Sequence, residues 1–68
     1  MTTLYRLLTE DDTSRFCHKV TAALAQGWRL HGDPSYAFDA NNGVMRCAQA
    51  VLKDIDAPYD PSMKLGAQ

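Results

Sequence analysis

Nine consecutive residues, Val44-Met45-Arg46-Cys47-Ala48-Gln49-Ala50-Val51-Leu52, are largely apolar on both alternating sets of positions. A strand with one wet face is apolar on only one set, whereas a strand buried on both faces reads like this one. Such a strand belongs in the middle of a sheet. The rest of a 68-residue chain has to be arranged around it.

The flanking segments supply the neighbours. Residues 3–8 alternate weakly, with Tyr5 and Leu7 on one face and Leu4, Arg6 and Leu8 on the other, which suits a first strand. Thr9-Glu10-Asp11-Asp12-Thr13-Ser14 is acidic and rich in capping residues, a suitable start for a helix. Asp11 stands four residues before Arg15, the spacing of a surface ion pair on that helix. From Phe16 the period is helical, and Phe16, Cys17, Val20, Ala23 and Leu24 share a stripe about 120° wide. Gly27 stops the helix as a residue of positive φ.

Beyond it Trp28, Leu30, Tyr36 and Phe38 share one parity, with Arg29, His31, Ser35 and Ala37 on the other. Gly32-Asp33-Pro34 interrupts this second strand, and proline cannot donate to a ladder, so the strand lies at an edge and is bent or bulged there. Asp39-Ala40-Asn41-Asn42-Gly43 is a hairpin turn, leading into the third strand over residues 44–52. The predicted fold is α+β: a β-α-β-β unit whose mixed three-stranded sheet has order 1-3-2, with one helix packed on one face. Residues 1–53 form the single domain. Residues 54–68, with Pro58 and Pro61, form an irregular C-terminal tail.

A core this small supplies only about 3–5 kcal/mol and usually needs a disulfide, a metal or a partner chain. Two cysteines are too few for a disulfide framework, and no secretory segment precedes them, which points to a reducing, bacterial-type cytoplasm with Cys17 and Cys47 as free, buried thiols. No stretch approaches the length of a membrane helix. Seven basic against eight acidic side chains argue against a polyanion-binding module.

The remaining source of help is a second chain. One helix covers one face of a three-stranded sheet, so the other stays open. With Ala48, Ala50 and Leu52 assigned beneath the helix, the open face is expected to carry Leu4, Leu8, Met45, Cys47, Gln49 and Val51. Either the tail folds back over it with Ile55, Tyr59, Met63 and Leu65, or a second copy covers it. The second copy is preferred because the tail is short and broken by proline.

Phe16-Cys17-His18-Lys19-Val20, then Ala23-Leu24, Gly27-Trp28-Arg29-Leu30-His31-Gly32, and Cys47-Ala48-Gln49-Ala50-Val51 stand in one order. Over roughly residues 4–53 this arrangement resembles a family of short bacterial proteins and modules known only as a domain of unknown function. Its pattern is F-C-x-x-V, then L-x-x-G-W-x-L-x-G, then a last strand ending Q-A-V. The resemblance implies a compact α+β module and carries no activity.

The chemistry-bearing residues have bland explanations. Cys17, His18, His31 and Cys47 are zinc-ligand types, yet they lack the short paired spacing of a zinc chelate, so no metal or other cofactor is expected. Cys17 is too buried on the stripe for thiol catalysis, while Cys47 and His31 share a parity that permits contact without establishing it. Asp11 with Asp12, and Asp54 with Asp56, have no apolar wall to raise a carboxyl pKa. Gln49 in a central strand needs partners for its amide, from backbone or from a two-fold mate. Arg6, Arg29, His31 and Arg46 are candidate contacts for an anion or single-stranded nucleic acid. Strand-two aromatics of the opposite parity weaken the nucleic-acid reading.

The sequence therefore points to a small non-enzymatic module that self-associates, as a dimer, or binds another protein through the open sheet face. A small-ligand or anion-binding domain on that face is the alternative, and a nucleic-acid-binding module a weaker one.

Overall fold

The computed structural model describes residues 1–67. Strand β1 (Thr2–Asp11) leads to helix α1 (Ser14–Ala25), then to strands β2 (Arg29–Asp39) and β3 (Val44–Ile55), and a 3-10 turn closes Leu65–Ala67. The sheet order is β1-β3-β2, and β3 pairs antiparallel with both neighbours. The order is the expected one. The mixed sheet is corrected: β1 and β2 run the same way, but they never touch through the ladder, so every hydrogen-bonded pair is antiparallel.

Local chemistry sets the boundaries. The strand expected over residues 3–8 continues to Asp11, because Glu10 and Asp11 pair with Cys47 and Arg46 of β3 rather than opening the helix. The expected Asp11–Arg15 pair is thereby replaced by a cross-strand ion pair between Asp11 and Arg46. Thr13, extended at φ −139°, caps α1 by accepting the Arg15 N–H on its hydroxyl at 3.2 Å. At the other end Trp28 N–H donates to Ala23 O and Gly27 N–H to Leu24 O, both at 3.1 Å. That double closure requires a left-handed residue between, and Gly27 has φ +94°. In the hairpin the Asp39 carboxylate accepts the Asn41 and Asn42 N–H groups, and Gly43 takes φ +66°.

The core lies between α1 and the sheet. Leu4, Leu8, Ala23, Trp28 and Val51 are buried, with Val20, Ile55 and Leu65 packed against them. Trp28 is 2% exposed and has two cations over its ring, Arg6 at 5.4 Å and Lys53 at 5.7 Å from the centroid. On the helical stripe Ala23 is buried and Phe16 and Val20 half-buried, while Leu24 and Cys17 are exposed. The expected burial of Cys17 is thus corrected. Helix α1 lies chiefly over β1 and less over β2, and Cys17 and Leu24 at the edges of its stripe stay open to solvent.

Beyond residue 52, β3 continues through Ile55. The tail then folds back: Leu65 packs on the core cluster, and Gly66 sits against the Arg6 guanidinium. Leu65 thus adds to the helix side beside β1 and Tyr59 lies at the β1 edge near Thr3 and Tyr5, while Leu30, Tyr36 and Phe38 of β2 stay more than half exposed.

This shape is under-buried. The radius of gyration is 13.4 Å, against about 11 Å for a compact chain of this length. The accessible surface is 4776 Å², roughly 500 Å² more than a compact 7.5 kDa monomer exposes.

Candidate functional site

Residues opposite each other in an antiparallel ladder share a face, so the register assigns every strand residue to a side. Leu4, Arg6, Leu8 and Glu10 lie beside Lys53, Val51, Gln49 and Cys47, and Leu30, Tyr36 and Phe38 beside Val51, Cys47 and Met45. This set contains the buried core residues, so it is the helix side. The open-face assignment of Leu4, Leu8, Met45, Cys47, Gln49 and Val51 is therefore corrected: all six lie beneath or beside α1. Leu4, Leu8 and Val51 are core, at 2%, 3% and 0% exposure.

Gln49 is buried for a specific reason. The β2 ladder slips between His31 and Ser35, with Gly32 at φ +71° in the bulge. The Gln49 Nε2 donates to Ala50 O at 2.9 Å, His31 O at 3.2 Å and Gly32 O at 3.3 Å. Its amide thus reaches the carbonyls beside the bulge from the helix side. The backbone, and not a two-fold mate, satisfies it.

The open face is the other set. Its rows across β1, β3 and β2 are Tyr5–Leu52–Arg29, Leu7–Ala50–His31 and Thr9–Ala48–Ser35. Tyr5 and Leu7 are each 54% exposed. An apolar band therefore runs along β1 and β3, with two small alanines at its centre. Each end carries a neutralised charge pair. At one end Asp54 accepts from Arg29 Nη1 at 3.0 Å and from the Thr3 hydroxyl at 2.7 Å. The Thr3 hydrogen bond, then Arg29, holds the Asp54 carboxyl below its ordinary range. At the other end Asp11 accepts from Arg46, which keeps that guanidinium charged.

The four basic candidates do not converge. Arg6 stacks on Trp28 on the helix side. Arg29 and Arg46 lie six β3 positions apart on the open face, about 20 Å, each bound to its own aspartate. His31 stands exposed between them. No anion-sized cluster results.

The zinc-type residues are split as well, with Cys47 on the helix side of the sheet and His31 on the open side. Among the described residues no group of three or more His, Cys, Asp or Glu is placed to hold a metal ion. Burial, and then the Asp12 carboxylate, push the Cys47 thiol up from its ordinary range. The Tyr36 hydroxyl donates to Asp12, which raises it too.

The residues that sequence reasoning missed are Tyr5, Leu7, Ala48, Ala50 and Leu52. A signal for them existed. A hairpin closing Asp39 on Val44 ties even positions of β2 to odd positions of β3, so the face of Trp28 must also be the face of Val51.

No helix among the described residues is long and apolar enough to cross a membrane. In comparisons with known proteins, a family model described as "Domain of unknown function (DUF1737)" matches residues 2–54. No curated protein and no solved structure matches.

Proposed function

Because the chain belongs to the family described as Domain of unknown function (DUF1737), which lends it no activity, we propose a role from its surfaces: a non-enzymatic assembly module that pairs with a second copy through the open sheet face. The observation that carries this reading is the apolar band of Tyr5, Leu7, Ala48, Ala50 and Leu52, bare on one side of a sheet whose other side holds the whole core.

Three features favour an identical copy as the cover. The face bears one acid–base pair at each end, and its further carboxylate, Asp39, is bound within the hairpin by Asn41 and Asn42, so a copy of itself meets little repulsion. The surplus surface of about 500 Å² is close to the footprint of three strands by ten residues, itself roughly 480 Å². The edge of β2 is a poor alternative, because Pro34 lacks an N–H and the bulge at Gly32 twists the strand away from a partner. A footprint below the usual ~800 Å² per partner implies a weak dimer, with a Kd on the order of micromolar. The reading fits a cytoplasmic protein with no part in nucleic-acid binding, since the two arginines of this face, Arg29 and Arg46, are already neutralised by Asp54 and Asp11.

The test compares two charge insertions by sedimentation. Leu7→Lys, on the open face, is expected to give a folded monomer. Phe38→Lys, at a somewhat more exposed position on the helix side, is expected to leave the dimer intact. Dissociation by Phe38→Lys but not by Leu7→Lys would move the contact to the other side of the sheet.

A further inference from the structure

The open face has an internal symmetry that restricts how two copies can stack on it. Along β3 its residues are Arg46, Ala48, Ala50, Leu52 and Asp54, with Arg46 and Asp54 equidistant from Ala50. Two face-to-face two-folds are available. An axis parallel to the strands sets Arg46 against Arg46 and Asp54 against Asp54. An axis across the strands, through the Ala50 row, sets Arg46 of each copy against Asp54 of the other, joining Arg29–Asp54 and Arg46–Asp11 into one alternating chain of charges. It also sets Leu52 over the space above the other copy's Ala48, large against small. Only the second arrangement is complementary in both charge and shape.

The Ala50 row ends in His31 on β2. Resting on the open-face reading, we propose that two copies stack about the axis across the strands, which brings their His31 side chains together at the two-fold, so that protonation of this pair separates the dimer. Stacked sheets stand about 10 Å apart, within the combined reach of two imidazoles. Two imidazolium ions there would repel each other and lose water. The other charged or titratable groups on this face are Arg29 and Asp39 on the same strand, Tyr5 and Asp11 on β1, and Arg46 and Asp54 on β3, with the N-terminal amine near Asp54. Asp33 stands in the bulge beside His31 in sequence. Arg29 adds to the repulsion and is itself bound by Asp54. Asp54 is held ionised through the histidine range by Thr3 and Arg29, so it does not switch there.

The sign follows from linkage. The dimer holds both imidazoles neutral, so association is complete above the histidine range and is lost as pH falls through it. A requirement for two neutral imidazoles weakens the dimer by about 100-fold between about pH 7.5 and 5.5.

Sedimentation equilibrium at those two pH values, on the full chain and on His31→Gln and His31→Phe, tests this, with Trp28 fluorescence reporting the fold. The expected result is a wild-type Kd rising about 100-fold on acidification with uptake of about two protons per dimer, and under about three-fold change in whichever neutral variant dimerises. A wild-type change below about three-fold, or a neutral variant that keeps the wild-type pH dependence, overturns the His31 pair and leaves the open-face dimer standing. A wild-type chain that is monomeric at both pH values overturns the dimer reading and the His31 pair with it.

Discussion

The Gln49 side-chain amide donates to the carbonyl oxygen of Gly32 at 3.3 Å, and so a residue of the central strand holds the bulge of the edge strand beside it. The same nitrogen serves His31 and Ala50. Gln49→Leu keeps the volume and removes the donor. It should cost about 1–3 kcal/mol in urea unfolding, the penalty of leaving buried polar groups without a partner. An unchanged midpoint would mean that the bulge needs no support from β3.

Trp28 is the largest side chain in the core and the surface on which Arg6 and Lys53 stack. Trp28→Ala should remove about 3–5 kcal/mol. For a core of this size that is close to the whole stability, so circular dichroism is expected to show an unfolded chain. Lys64→Ala, on the exposed tail, should move the midpoint by no more than about 0.5 kcal/mol. A cooperative melt in Trp28→Ala would contradict the placement of the indole.

The two thiols should separate in alkylation. Cys17 is exposed on α1, whereas Cys47 is half-buried with its pKa raised by burial and by Asp12. Only the thiolate reacts, so at neutral pH iodoacetamide should label Cys17 first. Asp12→Asn should narrow the gap by removing the nearby negative charge. Labelling of Cys47 ahead of Cys17 would reverse the assignment.

Asp54 titrates below its ordinary value of 3.8 because Thr3 and Arg29 bind its charged form. A carboxyl depressed in the folded state contributes stability that is fully present above the unfolded value and is lost as pH falls through the folded one. Thr3→Val removes the hydrogen bond that most favours the charged form, so NMR titration should show Asp54 moving up toward 3.8, with acid unfolding beginning at a higher pH. No upward movement would show that the Thr3 hydroxyl does not hold this carboxylate.

Much of the fold was legible because the chain marks it locally. Gly27 and Asn42-Gly43 stand where the backbone must take positive φ, or turn into positive φ, and the two-sided apolar run of β3 placed it between the other strands. The side on which the helix packs was not legible from any one segment. Both faces of β3 are apolar, and only the hairpin register ties the parity of Trp28 to that of Val51. The open face followed from counting layers, while its residues changed from Leu4, Leu8 and Val51 to Tyr5, Leu7, Ala50 and Leu52. Asp11 shows the same limit. Its spacing to Arg15 suits a helix, yet Arg46 competes for it across a ladder that local spacing does not reveal. The role of Gln49 depended on carbonyls eighteen and seventeen residues away.

Sedimentation equilibrium of the unmodified chain near neutral pH bears most directly on the open face as a pairing surface. The weight-average mass should start at 7.5 kDa at low concentration and approach twice that value by about 200 μM, as expected for a micromolar Kd. A mass that stays at 7.5 kDa up to that concentration would contradict it, leaving Tyr5, Leu7, Ala50 and Leu52 as surface open to solvent.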